Sequence, residues 1–181
     1  AKQLLLASAT TEMGTGGDLG TSICAANLSE DGRRVRIDKM APVISYGCQA
    51  DAIMVTARSH PQATGNDQVH VLVEKDEVSL DPVSTWDSLG FRGTCSPGFE
   101  LKSIGNAAQI FPAPYAEIHS RTQHPTAHIV WASLWTGLAH DALFRLAVVG
   151  ESGANPTWVI EATDALRTRS LPLTLTERVE V

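Results

Sequence analysis

The sequence has little positive charge and no long apolar segment. Its 14 Lys and Arg residues are outnumbered by 20 Asp and Glu residues, and the net charge is −6. With no basic run anywhere, nothing in the charge pattern favours a nucleic-acid partner. No apolar stretch approaches the roughly 20 residues that span a bilayer, and the run at 4–6 is too short for a signal-peptide core. We therefore expect no membrane partner and, by default, a cytoplasmic protein.

Cysteines are few and widely spaced. The three cysteines, at positions 24, 48 and 95, argue against a disulfide framework or a zinc site and fit reduced thiols. His124 and His128 stand four positions apart, a spacing at which one helical face presents both rings. Because no third ligand accompanies them, we expect no metal site.

What the sequence does have is a glycine-rich segment at residues 10–18, Thr-Thr-Glu-Met-Gly-Thr-Gly-Gly-Asp. Glycines let the backbone turn sharply and approach a ligand closely. Free N–H groups in such a loop can hold a phosphate or the edge of an electron-rich ring, and Thr10 and Thr11 add hydroxyls. The segment lacks the features of a P-loop and of a Rossmann fingerprint. Taken alone, it is either a ligand-binding loop or a structural turn.

Short strands separated by turn signals fill residues 1–117. Apolar and polar residues alternate at 33–39 and 68–74, and residues 52–57 form a continuous apolar run. Further strands are predicted at 43–47, 78–83, 99–103 and 108–111. Strands at such regular spacing are typical of an antiparallel β-barrel or sandwich and not of a βαβ fold.

The periodicity changes after Pro125. Between residues 126 and 149, large apolar residues recur every three or four positions, which predicts an amphipathic helix of about six turns. These residues are Trp131, Leu134, Trp135, Leu138, Leu143 and Leu146. Pro125 suits the first turn, and Gly150 suits a C-cap. One helix cannot bury its own stripe, so this helix requires a partner. The segment 151–181 receives no assignment.

Three motifs occur in order along the chain. The first is Thr-Glu-x-Gly-x-Gly-Gly-Asp from residue 11. The second runs from Lys39 through Val-Ile-Ser-x-Gly at 43–47 to Ala-Asp at 50–51. The third is Trp-Asp-Ser-Leu-Gly-Phe-Arg-Gly-Thr-Cys-Ser at 86–96. Together they resemble the middle β-domain of the acyl-CoA dehydrogenase family. There the motifs read T-E-x-x-x-G-S-D, K-x-x-I-T/S-x-G-x-x-A-D and L-G-x-R-G-T/S-x-S.

The resemblance implies a domain organisation. Residues 1–117 correspond to a flavin-binding β-barrel domain, and 118–150 correspond to the first helix of a C-terminal helical bundle. The family's N-terminal helical domain is absent from the sequence. An excised fragment, a natural truncation and a reading-frame change near residue 149 each account for this.

The resemblance also implies FAD as cofactor and α,β-dehydrogenation of an acyl thioester as reaction. The implied FAD-binding residues are Ser8, Thr10, Thr11, Gly16, Gly17, Val43, Ile44 and Ser45. Thr11 would bond the flavin edge, and the Ser45 hydroxyl would approach flavin N5. Gly17 and Thr94 correspond to positions that contact the thioester arm, although Gly17 lacks the hydroxyl that many members carry there.

The base that the resemblance implies is missing. In the family it is a Glu on the helical bundle, early in the first helix in some members and near the end of the chain in others. Residues 124–150 contain no Glu, Asp141 lies too far along the helix, and the end of the sequence shows no recognisable base motif. We therefore assign no catalytic residue and expect the isolated chain to be inactive. The implied partners are acyl-CoA or a related acyl thioester, an electron-acceptor flavoprotein, and further subunits in a homo- or hetero-oligomer.

Two alternatives remain open. The chain could be a non-catalytic β-barrel module that associates through its helix, because Trp131, Trp135 and Leu138 would form an apolar patch if left uncovered. A flavin monooxygenase of the same architecture is disfavoured, because the third motif matches the thioester-binding type.

Overall fold

The computed structural model describes residues 3–150, with side chains through Leu146. The segment 151–181, which the sequence left unassigned, lies outside the described residues. The chain divides into two compact units, Ala1–Ile118 and a second that begins at His119.

The strands of the first unit form two sheets. The three-stranded sheet has the order β1-β4-β5, and the four-stranded sheet has the order β2-β3-β7-β6. The strands are β1 (Leu6–Ala9), β2 (Asn27–Leu28), β3 (Arg34–Ala41), β4 (Ala52–Arg58), β5 (Gln68–Glu74), β6 (Val78–Pro82) and β7 (Phe99–Asn106). Short 3-10 turns occupy Lys75–Glu77, Arg92–Thr94 and Ala107–Gln109, and α1 (Tyr115–Ile118) is a single helical turn.

The predicted antiparallel barrel is only partly what the structure shows. In the described part of the chain, no strand of one sheet pairs with a strand of the other, so the sheets do not close into a barrel. In addition, β1 pairs with β4 in parallel, with Leu6 opposite Ala52. A parallel pair requires a long crossover connection. Residues 10–51 supply it, and they carry β2 and β3 into the other sheet.

The hydrophobic core draws on both sheets. Strand β3 alternates strictly between exposed and buried side chains, as its sequence predicts. Its buried residues join those of β1, β4, β5 and β7 in one cluster. Members that are almost completely buried include Ala9, Ile37, Val55, Val71 and Leu101. This shared core fixes the strand ends from which the motif segments emerge.

Two predicted strands are not strands. Residues 43–47 lead into a turn in which the Gly47 N–H donates to the Ile44 carbonyl and Tyr46 has a φ of 55°. Residues 108–111 begin in the 3-10 turn and continue only as an isolated bridge between Ile110 and Val71. In both cases a proline beside the segment, Pro42 or Pro112, removes a backbone donor that a ladder would need.

The second unit contains the predicted helix. A π-helical turn at His119–Gln123 precedes α2 (His124–Gly150), and Pro125 lies in the first turn of α2, as predicted. The apolar residues do not form a single stripe, however. Trp135 and Phe144, each about half exposed, are nine positions apart and therefore lie on opposite sides of the helix. A helix that is apolar on all sides is normally buried on all sides.

We find no helix among residues 3–150 that combines the length and the apolar character needed to cross a bilayer.

Candidate functional site

The three sequence motifs meet in the folded chain. The Met13 N–H in the glycine loop donates to the Met40 carbonyl at the end of β3, at 2.9 Å. The second motif bonds to the third, because the Ile44 N–H donates to the Pro97 carbonyl at 3.1 Å and the Tyr46 N–H donates to the Thr94 carbonyl at 3.1 Å. Segments far apart in sequence therefore share one region of the first unit.

The glycine loop is an exposed turn with open space beside it. Gly14, Gly16 and Gly17 have φ values of 96°, 63° and 88°, in the region that side chains with a Cβ rarely adopt. A Cβ added at Gly16 or Gly17 would meet no atom within 4 Å. The Thr15 hydroxyl donates to the Glu12 carbonyl at 3.0 Å and closes the turn from within. The loop thus presents bare backbone to its surroundings, as a cradle for a polar ligand requires.

A buried ion pair lies beneath this loop. The Lys39 ammonium is 3.7 Å from a Glu12 carboxylate oxygen, and both side chains are almost fully buried. Lys39 also donates to the carbonyls of Thr56 at 2.7 Å and Thr10 at 3.3 Å. The Thr10 backbone is therefore tied both to β4 and to the ion pair.

Glu12 satisfies its remaining hydrogen-bonding capacity on residues 22–24. Its carboxylate accepts from the Ser22 hydroxyl at 2.8 Å and from the N–H groups of Ile23 and Cys24 at 3.1 and 2.7 Å. A buried charge needs such partners, because the desolvation of an isolated ion is very costly. The pair and its partners hold the loop at a fixed position over the core.

Burial shifts two pKa values here. Desolvation lowers the pKa of Lys39 from its ordinary value, although the Glu12 carboxylate opposes that shift. Desolvation raises the pKa of the nearby Cys24 thiol to about 11, and the Lys39 charge opposes that shift. A protonated Cys24 is a poor nucleophile, so this thiol has a packing role.

The predicted FAD-binding residues in and just before the first motif have three different surroundings. Ser8 and Thr10 lie together, with their hydroxyl oxygens 2.8 Å apart. Thr11 is half-buried between Thr10 and the buried Glu12. Gly16 and Gly17 lie at the open end of the loop.

The three predicted residues of the second motif point to different surroundings. Val43 is 38% exposed and Ser45 is exposed. By contrast, the Ile44 side chain is completely buried in the hydrophobic core, and its N–H is used by Pro97. This side chain anchors the turn in the core. Only backbone atoms of Ile44 are therefore left for the predicted contact with FAD.

A chain of hydroxyl groups connects the predicted cofactor and substrate residues. The Ser45 and Ser96 oxygens are 2.8 Å apart, and those of Ser96 and Thr94 are 2.7 Å apart. The Thr94 hydroxyl also donates to the Phe91 carbonyl at 2.9 Å. The structure thus joins Ser45 and Thr94, 49 positions apart in the sequence, through Ser96, which is 2% exposed.

Backbone strain concentrates in the same region. In the described part of the chain, the non-glycine residues with positive φ are Tyr46, Phe91 and Cys95, all in the second and third motifs. Such conformations persist where the surroundings hold them, often at functional sites. The half-buried Trp86 helps to hold Phe91 in this conformation, because its indole N–H donates to the Phe91 carbonyl at 3.1 Å.

The three motifs contain Glu12, Lys39 and Ser96, but the sequence alone predicts no functional or structural role for these residues. Their burial could not be read from the sequence, because charged and hydroxyl side chains are usually exposed. The signal that was available was their presence in the motifs themselves. Within residues 3–150 we find no cluster of three His, Cys, Asp or Glu side chains that could hold a metal ion.

The comparisons with known proteins agree with the motifs at the level of fold. No family model matches the sequence, and no curated protein matches it. Solved structures do match. A steroid ACAD variant aligns over 98% of this chain and 48% of its own, with a TM-score of 0.73 and 20% identity. Butyryl-CoA dehydrogenase from Megasphaera elsdenii aligns over 92% and 45%, with a TM-score of 0.71 and 17% identity.

A third match is acyl-CoA dehydrogenase from Geobacillus kaustophilus, which aligns over 90% of this chain and 45% of its own, with a TM-score of 0.66 and 17% identity. The chain spans less than half the length of each of these three structures. At these identities the likeness concerns the fold. It confirms the resemblance that the three motifs carry: the chain has the fold of the acyl-CoA dehydrogenases over the part of their length that it spans.

Proposed function

We propose that this chain is the flavin-binding part of an FAD-dependent acyl-CoA dehydrogenase-like oxidoreductase. The observation that carries the proposal is the meeting of the three motifs. An open glycine turn and the Ser45–Ser96–Thr94 hydroxyl chain lie on segments that hydrogen-bond to one another through Met13 and Ile44. The fold shared with solved acyl-CoA dehydrogenases supports the same assignment.

The residues present fit the cofactor. FAD offers a pyrophosphate and a ring edge rich in hydrogen-bond acceptors. Backbone N–H groups of an open turn suit the first, and hydroxyls suit the second. The space beside Gly16 and Gly17 admits a ligand close to the backbone. Val43, an exposed apolar side chain beside Ser45, suits contact with a ring face.

When bound, FAD would accept a hydride from the β-carbon of an acyl thioester. The chain's own contribution is to bind and orient. Thr11 and Ser45 would hold the ring edge, and donors there favour the negative charge that a reduced ring carries. Thr94 would hold the thioester arm, so that the two ligands are kept in reacting geometry.

We assign no residue of this chain to proton removal, because no Glu occurs in α2. We therefore propose that this chain binds FAD and an acyl thioester, and that turnover requires a carboxylate from elsewhere in a larger protein or assembly. Association with further subunits and with an electron-acceptor flavoprotein belongs to the same proposal.

Titration of the purified full chain with FAD tests the proposal. We expect saturable quenching of flavin fluorescence and a perturbed visible spectrum. Thr11→Val and Ser45→Ala should each weaken binding by about 2- to 10-fold, the value of one net hydrogen bond. Thr64→Val is the matched control, because the Thr64 hydroxyl bonds to Asn66 in a surface loop. Absence of FAD binding to the wild-type chain would refute the proposal.

A second candidate function has its own observation in favour. The indole rings of Trp131 and Trp135 stack on α2 with their centroids 5.9 Å apart, and each side chain is about half exposed. Together with Leu138 they provide an apolar surface of the kind that drives association. On this reading the chain is a non-catalytic interaction module, and the purified protein would be colourless and indifferent to FAD.

A further inference from the structure

The hydroxyl chain between the second and third motifs is accessible at its two ends and buried in its middle. Ser45 is exposed, Thr94 is half-buried, and Ser96 between them is 2% exposed. The Ser96 hydroxyl can also donate to the Thr94 carbonyl, at 3.2 Å. Both ends of the chain can therefore meet a ligand, whereas the middle cannot.

Each hydroxyl has one proton to donate. When the Ser96 proton goes to one of its two shorter contacts, the hydroxyls of Ser45 and Thr94, and not to the Thr94 carbonyl, the chain can run in two directions. In the inward direction, Ser45 donates to Ser96, Ser96 to Thr94, and Thr94 to the Phe91 carbonyl, which leaves Ser45 able only to accept. In the outward direction, Thr94 donates to Ser96 and Ser96 to Ser45, which leaves the Ser45 proton for a ligand.

Neither direction leaves a buried acceptor unsatisfied. The Phe91 carbonyl also accepts from the Thr94 N–H at 3.0 Å and from the Trp86 indole N–H at 3.1 Å. Losing the Thr94 hydroxyl as a donor thus costs this carbonyl little. The two directions are close enough in energy for a ligand to select one of them.

We propose that Ser96 is a positioning residue that couples ligand binding at Ser45 to ligand binding at Thr94. The inference rests on the proposed function, which puts FAD at Ser45 and the acyl thioester at Thr94. A thioester carbonyl that accepts the Thr94 proton selects the inward direction. An acceptor atom of oxidised FAD at Ser45 selects the outward direction. The hydroxyl chain therefore makes the two ligands oppose each other, and Ser96 transmits the effect.

The effect of one ligand on the binding of the other reverses when the ligand at Ser45 presents an N–H group instead of an acceptor. Two-electron-reduced FAD carries a proton on N5, the atom that the family resemblance places near Ser45. Such a group requires Ser45 to accept, which is the inward direction that the thioester also selects. Ser96 thus favours the thioester together with reduced FAD over the thioester together with oxidised FAD.

The test measures a coupling factor, defined as the dissociation constant of FAD with saturating acetyl-CoA divided by its value without acetyl-CoA. Acetyl-CoA is an acyl thioester with no β-carbon, so it binds without being dehydrogenated. The factor is measured on the full chain for the wild type, Ser96→Ala and Ser79→Ala. Ser79 is a matched control because its hydroxyl lies at the surface beside Asp81.

We expect the wild-type coupling factor for oxidised FAD to exceed that of Ser96→Ala by about 2- to 10-fold, the value of one net hydrogen bond. With chemically reduced FAD the wild-type factor should fall below that of Ser96→Ala. Ser79→Ala should behave as wild type. By linkage, FAD must change the affinity for acetyl-CoA by the same factor.

A purely structural role for Ser96 would lower both affinities and leave the coupling factor unchanged, and that result would overturn the inference. If Ser96→Ala does not fold, Thr94→Val breaks the same hydroxyl chain at its other link and should show the same change. A wild-type factor retained in Thr94→Val would overturn the inference equally. Failure of the wild-type chain to bind FAD refutes the proposed function itself, which distinguishes the two failures.

Discussion

Among single residues, Lys39 has the most demanding environment. Its ammonium group is enclosed by a carboxylate and two carbonyl oxygens and has no contact with solvent. The Glu12 carboxylate depends on that charge, since its other partners are neutral donors. The glycine loop and the end of β3 are therefore linked by electrostatics as well as by the Met13 hydrogen bond.

Replacing Lys39 with Met should destabilise the chain by about 3–5 kcal/mol, because the Glu12 charge is then left buried without its cation. Urea unfolding at neutral pH measures the loss. The double variant Glu12→Gln/Lys39→Met removes both charges and should recover part of it. The matched control is Lys102→Met, whose Lys102–Glu100 ion pair is at the surface and should contribute nothing measurable. If Lys39→Met were as stable as this control, the buried pair would not be formed.

Cys24 predicts a specific loss of stability at alkaline pH. Its thiol has a raised pKa of about 11 in the folded chain against an ordinary value of 9.0. Between these values the folded state holds a proton that the unfolded state has released, so stability falls as pH rises. Two pKa units correspond to about 2–3 kcal/mol. Urea unfolding from pH 8 to 11 should show a loss larger by this amount in the wild type than in Cys24→Ala.

Lys39 has the opposite effect on the pH dependence of stability over part of this pH range. Because its folded pKa is lowered, the unfolded state binds the extra proton below pH 10.5, and stability rises with pH. The comparison with Cys24→Ala at each pH removes the part of this contribution that does not depend on Cys24; the remainder reflects the electrostatic interaction between the two groups. Cys48→Ala, which deletes an exposed thiol, should keep the wild-type alkaline loss. Equal pH profiles for wild type and Cys24→Ala would contradict the assignment.

Among the elements, the turns decide the site, and their geometry depends on close approaches that only glycine permits. Gly98, immediately before β7, is the clearest example. A Cβ at this position would lie 2.8 Å from the Pro42 carbonyl oxygen and 2.9 Å from the Ser84 hydroxyl. Pro42 begins the turn that carries Val43 and Ser45, so Gly98 controls how closely the second and third motifs approach.

Gly98→Ala should therefore destabilise the chain by about 1–3 kcal/mol, as overpacking does in a close-packed interior. It should also weaken FAD binding, because the turn at 43–45 must move. Gly90→Ala, a few residues earlier in the third motif, is the control, since its Cβ would meet no atom within 4 Å. Thermal unfolding and FAD titration measure the two effects. Equal behaviour of the two variants would show that the contact at Gly98 is not present.

The strands show what the sequence could predict and what it could not. Strands β3, β4 and β5 follow directly from alternation or from continuous apolar runs, and the structure places them within two residues of the predicted bounds. The parallel pairing of β1 with β4 was not predictable, because the short apolar run at 4–6 carries no information about its partner. Residues 43–47 are predicted as a strand because Val and Ile favour strands locally. In the structure, Pro42 and the hydrogen bonds to residues 94–97 hold this segment as a turn.

The site was predictable in composition but not in geometry. The motifs indicated which residue types would meet, and the structure does bring Ser45 and Thr94 together. Neither the linking role of Ser96 nor the supporting role of the Glu12–Lys39 pair could be recognised from local patterns in the sequence. These contacts join positions 27 to 51 residues apart, and local patterns do not encode such pairings.

At the scale of the whole molecule, α2 poses the main question. Its apolar side chains lie on opposite faces, and Val130, Trp131, Trp135, Leu138 and Phe144 are each about half exposed. A 27-residue helix of this kind is stabilised mainly by packing against partners and not by its own propensity. The same feature is expected whether the chain belongs to a larger flavoprotein or acts as an interaction module.

We therefore expect the purified full chain to self-associate in a concentration-dependent manner. Trp135→Asp should shift it towards the monomer, because a charge in an apolar contact is costly to desolvate. Thr136→Asp is the matched control, since it adds the same charge at the next position without removing the ring. Sedimentation velocity over a wide concentration range measures the association. A wild-type chain that stays monomeric throughout would mean that the Trp131–Trp135 surface is covered within the chain. If association is lost in Trp135→Asp while FAD binding is retained, the two surfaces act independently, and the flavin proposal stands without the helix.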